Sequence, residues 1–528
     1  MNIVQQAWLP FRLKDGTAQV LPLASIRDPD VIDFALPRAD FQGAAYQFAI
    51  ALLQTAFAPD DEEEWGDRYL ESPEEAELQN AFNLVAHAFN VVGDGPLFMQ
   101  DFETLSDQKP TTVAGLLIEA PGANGIKQNT DHFIKRGVGE QMSLDMAVMA
   151  LFTLQVNAPA GGVGHRVGLR GGGPLTTLVM PHSETATLWK KLWLNVINRE
   201  EWGYEDPDFT DGSVFPWLAS TQESHKKGSE IYHTDVHPLH MFWAMPRRIR
   251  LLVDHSDGQC AISGLPASTI VTSYLAKNYG NNYSGTWEHP LTPYTWDSKK
   301  PEQDHLSLKA QPGGINYKTW DVMALTSDKD GQRCAGVVTH YQRNAKEVHK
   351  SEQPRLWVFG YDMDNMKARG WYSVTMPLFH VDVDAQDAIV VEIKRLQSLA
   401  SSALWYTRDQ IKAAWFDKPK DAKGDISFID LAFWQRSESV FFTVVEHITQ
   451  QAKRGEYINP KQAGDWLNKL RSTCMDLFDE YALSELGDQR SMAKRIKARQ
   501  ALMKWLFGSK DIKRFVEDYK IAGIKEAV

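Results

Sequence analysis

Hydrophobic and polar positions alternate in two different ways along this chain, and the change falls near residue 380. Up to that point short β-like apolar runs ("TTLVM", "RIRLLV", "CAGVVTHY", "RLWVFGY") alternate with helical stretches and many Gly/Pro turns. The spacing predicts an amphipathic helix over 41–57 that ends at Pro59, before the acidic run "DDEEE" of a solvated surface. A second helical run, "SLDMAVMALFTLQV", stands just before residue 158. Beyond residue 380 the β-like runs vanish and apolar residues recur every three or four positions. Four helices are expected near 384–416, 428–454, 460–485 and 488–507, with a short helical tail to about 522. Short junctions between long helices predict an antiparallel four-helix bundle. The expected fold class is therefore α+β. A large mixed N-terminal domain with much irregular structure, residues 1–380, precedes a C-terminal four-helix bundle, residues 381–528.

Length agrees with this division, because 528 residues exceed what one hydrophobic core organises. The net charge of −12 argues against a free-standing protein that coats nucleic acid, since such binding rests on neutralising phosphates. It leaves room for a local basic surface. From Arg490 to Glu526 eleven basic residues face four acids, so a nucleic-acid-facing surface competes there with an ordinary solvated helix face. Three cysteines, Cys260, Cys334 and Cys474, lie far apart without CxxC spacing, which argues against a disulfide framework and fits a reducing cytoplasm. The start "MNIVQQAWLPF" does not read as a signal peptide, and no apolar run reaches the roughly 20 residues of a membrane span.

Candidate chemistry concentrates in "APAGGVGHRVGLRGGGPLTT", residues 158–177, with seven glycines in twenty positions. A phosphate cradle would read GxxxxGK[ST], or GxGxxG after a strand; the stretch contains no lysine and follows a helical run. Two readings survive. One is a connector packed against its own protein. The other is a thin loop entering a narrow groove, such as the DNA minor groove of about 6 Å, flanked by His165, Arg166 and Arg170. In "IYHTDVHPLHMFWAMPRRIR", His233, His237, His240 and Asp235 have metal-ligand chemistry, but Pro238 prevents one helix from presenting them together. Arg247, Arg248 and Arg250 read as partners for a phosphate or an acid. Asp362 and Asp364 are a weak Mg²⁺ pair. Neither GxSxG nor HExxH is present, so no active site is evident.

Several long segments, in order along the chain, resemble the CasA family, the large subunits of the type I-E CRISPR surveillance complex Cascade. They are "AWLPFRLKDGTAQVLPLASI", "ALPRADFQGAAYQFAIALLQTAFAP", "PLFMQDF", "APAGGVGHRVGLRGGGPLTTLV", "GTWEHPLTPY" and "VFGYDMDNMKARGWY". The resemblance implies a cytoplasmic, non-catalytic subunit with no cofactor and no membrane association. Its implied partners are crRNA, double-stranded target DNA, the other Cascade subunits and a helicase–nuclease. Such a subunit inspects the protospacer-adjacent motif (PAM) from the minor groove, helps open the duplex and presents it to the nuclease.

Carried onto this sequence, the family's minor-groove loop falls on Gly161, Gly162, Val163, Gly164, His165 and Arg166, with Val163 where at least one member has glycine. The family's lysine finger falls on Asn278, with Lys277 adjacent, and either residue can serve it. The strand-separating wedge, glutamine-bearing in the family, corresponds to Met363, Asp364, Asn365 and Met366. The loop that docks on the crRNA handle corresponds to Phe133, Lys135 and Arg136, where Phe133 as a core residue is the competing reading. Lys494, Arg495, Lys497 and Arg499 form the candidate DNA-backbone patch. Where some relatives carry a cysteine cluster, this chain has only His255 and Cys260, so no structural metal is expected. The function class that competes is a metal-dependent hydrolase built on His233, His237 and His240.

Overall fold

A computed structural model describes residues 1–120, 138–162, 164–344, 353–364, 366–421, 424–452, 455, 457–484 and 489–521. The chain forms two compact units. One comprises Met1–Ala310 with Cys334–Met376, and the other Gln311–Arg333 with Pro377–Val528. Mixed helix and sheet make up the first, and the second is mainly helical. The mainly helical unit takes in residues 311–333 as well as the chain from Pro377 onward.

In the first unit, β1 (Leu9–Leu13) lies between β2 (Ala18–Leu21) and β3 (Val31–Phe34), antiparallel to both. The helix expected over 41–57 is α1 (Ala39–Ala56), and it is not amphipathic: nearly every residue from Asp40 to Thr55 is buried. Its Ala-rich sequence allows close approach on all sides. Phe48 meets Phe89, Phe98, Phe152 and Trp243 edge-on at 5.6–6.1 Å, and Gly43 packs where a Cβ would sit 2.7 Å from Phe359. A second buried helix, α2 (Leu144–Asn157), follows and ends at the glycine-rich stretch.

Three of the four β-like runs are strands: β4 (Thr176–Met180), β5 (Arg248–Asp254) and β7 (Arg355–Asp364). The fourth, "CAGVVTHY", is not. It begins a helix, Gly336–Asn344, whose buried Val337, His340, Tyr341 and Asn344 recur at helical spacing. Paired valines alone do not separate helix from strand in so short a run. Strand β6 (Ile270–Lys277) pairs antiparallel with β5 and sets Lys277 opposite Arg248. Strand β7 lies between β4 and β8 (Lys367–Pro377), so β7 and β8, consecutive in the chain, pair as a hairpin.

The second unit holds α3 (Gln386–Trp415), α4 (Ser427–Gln451), α5 (Pro460–Phe478), α6 (Gln489–Gly508) and a short α7 (Lys510–Asp518). An Asn459 cap with Gln462 in a capping box and Pro460 in the first turn starts α5. The helices alternate in direction. Trp415 at the end of α3 donates to Tyr481 O past the end of α5, and Asp417 just after α3 pairs with Lys494 near the start of α6. Tyr317, from the inserted segment, stacks on Phe441 at 4.2 Å, and its hydroxyl lies 2.8 Å from Ser437 Oγ.

Candidate functional site

The glycine-rich stretch leaves α2 and closes on itself. Gly168 N–H donates to Ala158 O at 2.9 Å, forming a neck, and residues 159–167 project beyond it. At the tip His165 N–H donates to Gly162 O and Gly161 N–H to His165 O. Gly161, Gly162 and His165 are exposed; Gly164 and Arg166 are half-buried. Val163 lies outside the described residues. The glycines serve different needs. Gly162 (φ +88°) faces open space, so only its backbone conformation asks for glycine. Gly161 and Gly164 are also packed: a Cβ would fall 2.5 Å from His165 Cβ at the first and 2.6 Å from Asn278 Cβ at the second. The two readings of the loop therefore divide by residue. Its base is packed against its own protein, and Gly162 at its tip faces outward without a side chain.

Two arginines brace the base. Arg247 is buried, donates to Pro159 O and has its own N–H on Gln155 Oε1 at 3.0 Å. Burial lowers its pKa to about 10. His165 keeps solvent contact on one side, but its partial desolvation against the loop, then the nearby Arg247 charge, lowers its pKa, so its imidazole is neutral at pH 7. Arg170 does not flank the tip. Buried at 3% exposure, it donates to Thr176 Oγ1, Thr292 Oγ1, Gln47 Oε1 and Val156 O at 2.8–3.1 Å.

The turn after β6, which carries Lys277 and Asn278, adjoins the glycine loop. After β6 ends at Lys277, Tyr279 takes φ +65° and its N–H donates to Gly164 O at 2.7 Å, setting the exposed Asn278 beside Gly164. Lys277 turns to acids instead, with Nζ 3.1 Å from Glu223 Oε1 and 3.6 Å from Glu103 Oε2. The hydrogen bond to Glu223 raises its pKa. Arg248, opposite on β5, has no exposed side-chain surface and pairs with Asp101 at 2.6 Å, Glu103 at 2.9 Å and Glu223 at 2.5 Å. Arg250 donates to Asp101 O at 3.0 Å. The Arg247, Arg248 and Arg250 cluster thus binds internal oxygens rather than an outside phosphate.

The β7–β8 hairpin meets the same glycine stretch further along. Gly173 (φ +63°) lies where a Cβ would be 2.5 Å from Met363 Cγ. Asp364 and Met366 are exposed, and Asn365 lies outside the described residues. Asp362 is buried and accepts from Arg369 at 2.7 and 3.2 Å, so the Mg²⁺ reading of Asp362 and Asp364 gives way to an internal ion pair.

Phe133, Lys135 and Arg136 lie outside the described residues. In the C-terminal patch Lys494 pairs with Asp417, Arg495 donates to Ala482 O, and Arg499 holds Asp479 through two bonds of 2.7 and 2.8 Å. Lys497 is exposed. Two histidines of the hydrolase reading are engaged elsewhere, and the third, His233, is exposed with its ring 6.3 Å from that of Trp287. His240 is buried between Ser213 O and Tyr283 OH, each 3.0 Å away, and burial lowers its pKa to about 4. His237 has Glu205 O on Nε2 and Leu239 N–H on Nδ1. Among the described residues no group of three His, Cys, Asp or Glu side chains is placed to hold a metal ion, and no helix is long and apolar enough to cross a membrane.

Local motifs did not single out Glu223, Ser224, Asp101, Glu103 or Tyr279. The arginine partners of Glu223, Ser224, Glu103 and Asp101 lie 25 to 147 residues away, so no local spacing marks them. The one local signal was the sign of the charges, three arginines needing acids.

The pattern of the family described as CRISPR-associated protein Cse1 matches residues 2–477. Among solved structures, Thermus thermophilus CasA (Cse1) is 14% identical, with a TM-score of 0.66 over 96% of this chain and 99% of that one. Cse1 from Acidimicrobium ferrooxidans is 16% identical, with a TM-score of 0.65 over 98% and 99%. A chain of a CRISPR RNA-guided surveillance complex is 15% identical, with a TM-score of 0.62 over 95% and 99%.

Proposed function

The chain belongs to the CRISPR-associated Cse1 family, and from that premise we propose that it is the large, non-catalytic subunit of a crRNA-guided type I-E Cascade complex. In this reading it recognises the PAM in double-stranded DNA from the minor groove, helps unwind the target and presents it to a helicase–nuclease. The observation that carries the reading is one continuous arrangement. An exposed glycine tip is bonded through Gly164 O to the Tyr279 turn that sets out Asn278, and the same stretch packs at Gly173 on the Met363 hairpin. Backbone amides and carbonyls reach the N3/O2 edge of a base pair without side-chain bulk, and the degenerate minor-groove pattern makes recognition permissive. Met363 and Met366 supply apolar matter for separating a base step. Guide–target pairing then offsets the cost of opening. Phosphate neutralisation beyond this surface falls to the other subunits, which accommodates the net charge of −12.

Gly162 is the position that tests it, because a side chain there meets no protein atom within 4 Å. Gly162→Asn, which adds a side chain that tolerates positive φ, is expected in the assembled complex to weaken PAM-dependent duplex binding about tenfold or more, roughly one lost base-edge contact, while the complex still assembles. Unchanged duplex binding with the variant would overturn the groove reading.

A further inference from the structure

Glu223 and Ser224 belong to no motif, yet separate segments of the site meet on them. Glu223 Oε1 lies 2.5 Å from Arg248 Nη1 and 3.1 Å from Lys277 Nζ, and its other oxygen is 3.3 Å from His225 Nδ1. Ser224 Oγ accepts from Arg166 Nε at 2.7 Å, and its carbonyl accepts from the same guanidinium. Ser224 N–H donates to Tyr279 O at 3.2 Å, and Tyr279 N–H donates to Gly164 O. The segment therefore fastens the base of the glycine loop to the Lys277 turn.

Charge is graded across this junction. Arg248 and Asp101 are sealed from solvent, whereas Glu223 and Lys277 keep 35% and 33% of their side-chain surface. Hydrogen bonds from Arg248 and Lys277 hold the Glu223 carboxyl below its usual range, so it is ionised at neutral pH and Lys277 is already neutralised. A phosphate arriving at Lys277 must displace this carboxylate, the nearer of two acids, since Glu103 Oε2 lies 3.6 Å from the same Nζ and is held by Arg248 at 2.9 Å. Exchanging one half-exposed ion pair for another yields little net free energy. Free cations, by contrast, each add to sequence-independent DNA affinity through counterion release.

We infer that Glu223 is a specificity-determining residue for duplex DNA. It withholds the Lys277 charge from the phosphates of an arbitrary duplex and yields it only where the glycine tip and Asn278 also find a fitting groove edge. This deepens the proposed DNA reading and rests on it.

The test uses the full chain assembled with crRNA and its partner subunits. The probes are an unmatched duplex and guide-matched duplexes with a randomised flanking motif. Glu223→Gln keeps the side-chain shape and an oxygen for Arg248 but removes the charge. Affinity for the unmatched duplex is expected to rise about threefold to tenfold, and the plot of log affinity against log salt to steepen by about one, as one lysine joins the phosphate contacts. The spread between best and worst flanking motifs should narrow to match. In a Lys277→Met background the same substitution should leave affinity for the unmatched duplex and the salt slope unchanged.

An unchanged slope with Glu223→Gln overturns the inference, and so does a gain that persists without Lys277, which would mark a general effect of charge. If Glu223→Gln does not assemble, Glu223→Asp, which keeps the charge but draws it away from Lys277, must move affinity in the same direction. Failure of the underlying reading looks different: the wild-type complex would select no flanking motif, and Gly162→Asn would bind duplex as the wild type does.

Discussion

Arg170 shows how a residue read from its neighbours in sequence can belong to its neighbours in space. Beside glycines and another arginine it reads as a DNA contact, but its guanidinium is surrounded by hydroxyl, amide and backbone oxygens of the protein. Burial without a carboxylate among those partners lowers its pKa to about 10 and still leaves it charged at pH 7. Arg170→Met would strand those oxygens in the interior, since Met fills much of the space but donates nothing. A loss of about 2–4 kcal/mol in urea unfolding is expected. A loss below about 0.5 kcal/mol would show that the oxygens find other donors. Gly161 and Gly164 make the same point: they stood out in the sequence as thin, and the packing shows that part of the thinness serves Arg247, His165 and Asn278.

Helix α1 carries the argument at the scale of elements. Its period was legible, but its burial on every side was not, because an Ala-rich helix reads as weakly amphipathic whether one face is covered or all are. What distinguishes the cases is close approach, and Gly43 against Phe359 on β7 is the closest point. Gly43→Val should therefore overpack this junction. Thermal unfolding should report about 1–3 kcal/mol of destabilisation. A neutral result would mean that Phe359 moves aside without cost. The C-terminal helices were legible almost to their ends, since each buries one stripe at three- and four-residue spacing, and Asn459-Pro460 marks a start by local hydrogen bonding. "CAGVVTHY" was misjudged for the converse reason: it is too short for its period to show.

For the molecule as a whole, pH should separate the two units. His240, His289 and His340, all buried in the first unit, are held neutral, with pKa values of about 4 for His240, about 3 for His340 and well below 6.5 for His289, burial being the main cause in each. The unfolded chain takes up protons at these histidines below about pH 6.5 and the folded unit does not, so stability is fully present above that pH and falls as acid is added. The slope is about 1.4 kcal/mol per pH unit for each histidine until its folded pKa is reached. Asp321, Asp430 and Glu438 in the helical unit carry the opposite sign, since burial raises their pKa values and acidification relieves that cost. Calorimetry between pH 7 and 5 should show the transition of the first unit falling faster, and equal shifts of both transitions would contradict this assignment. The order of elements, the change of texture near residue 380, the family resemblance and the glycine stretch itself were determined by sequence, because each depends on residues close together along the chain. Tertiary structure alone decided that Arg170 and Arg248 face inward, that Tyr317 belongs to the helical unit, and that Glu223 and Ser224 join two loops. Ion pairs and packing act over a few ångströms of space, and no periodicity records which distant residues the fold will bring within that reach.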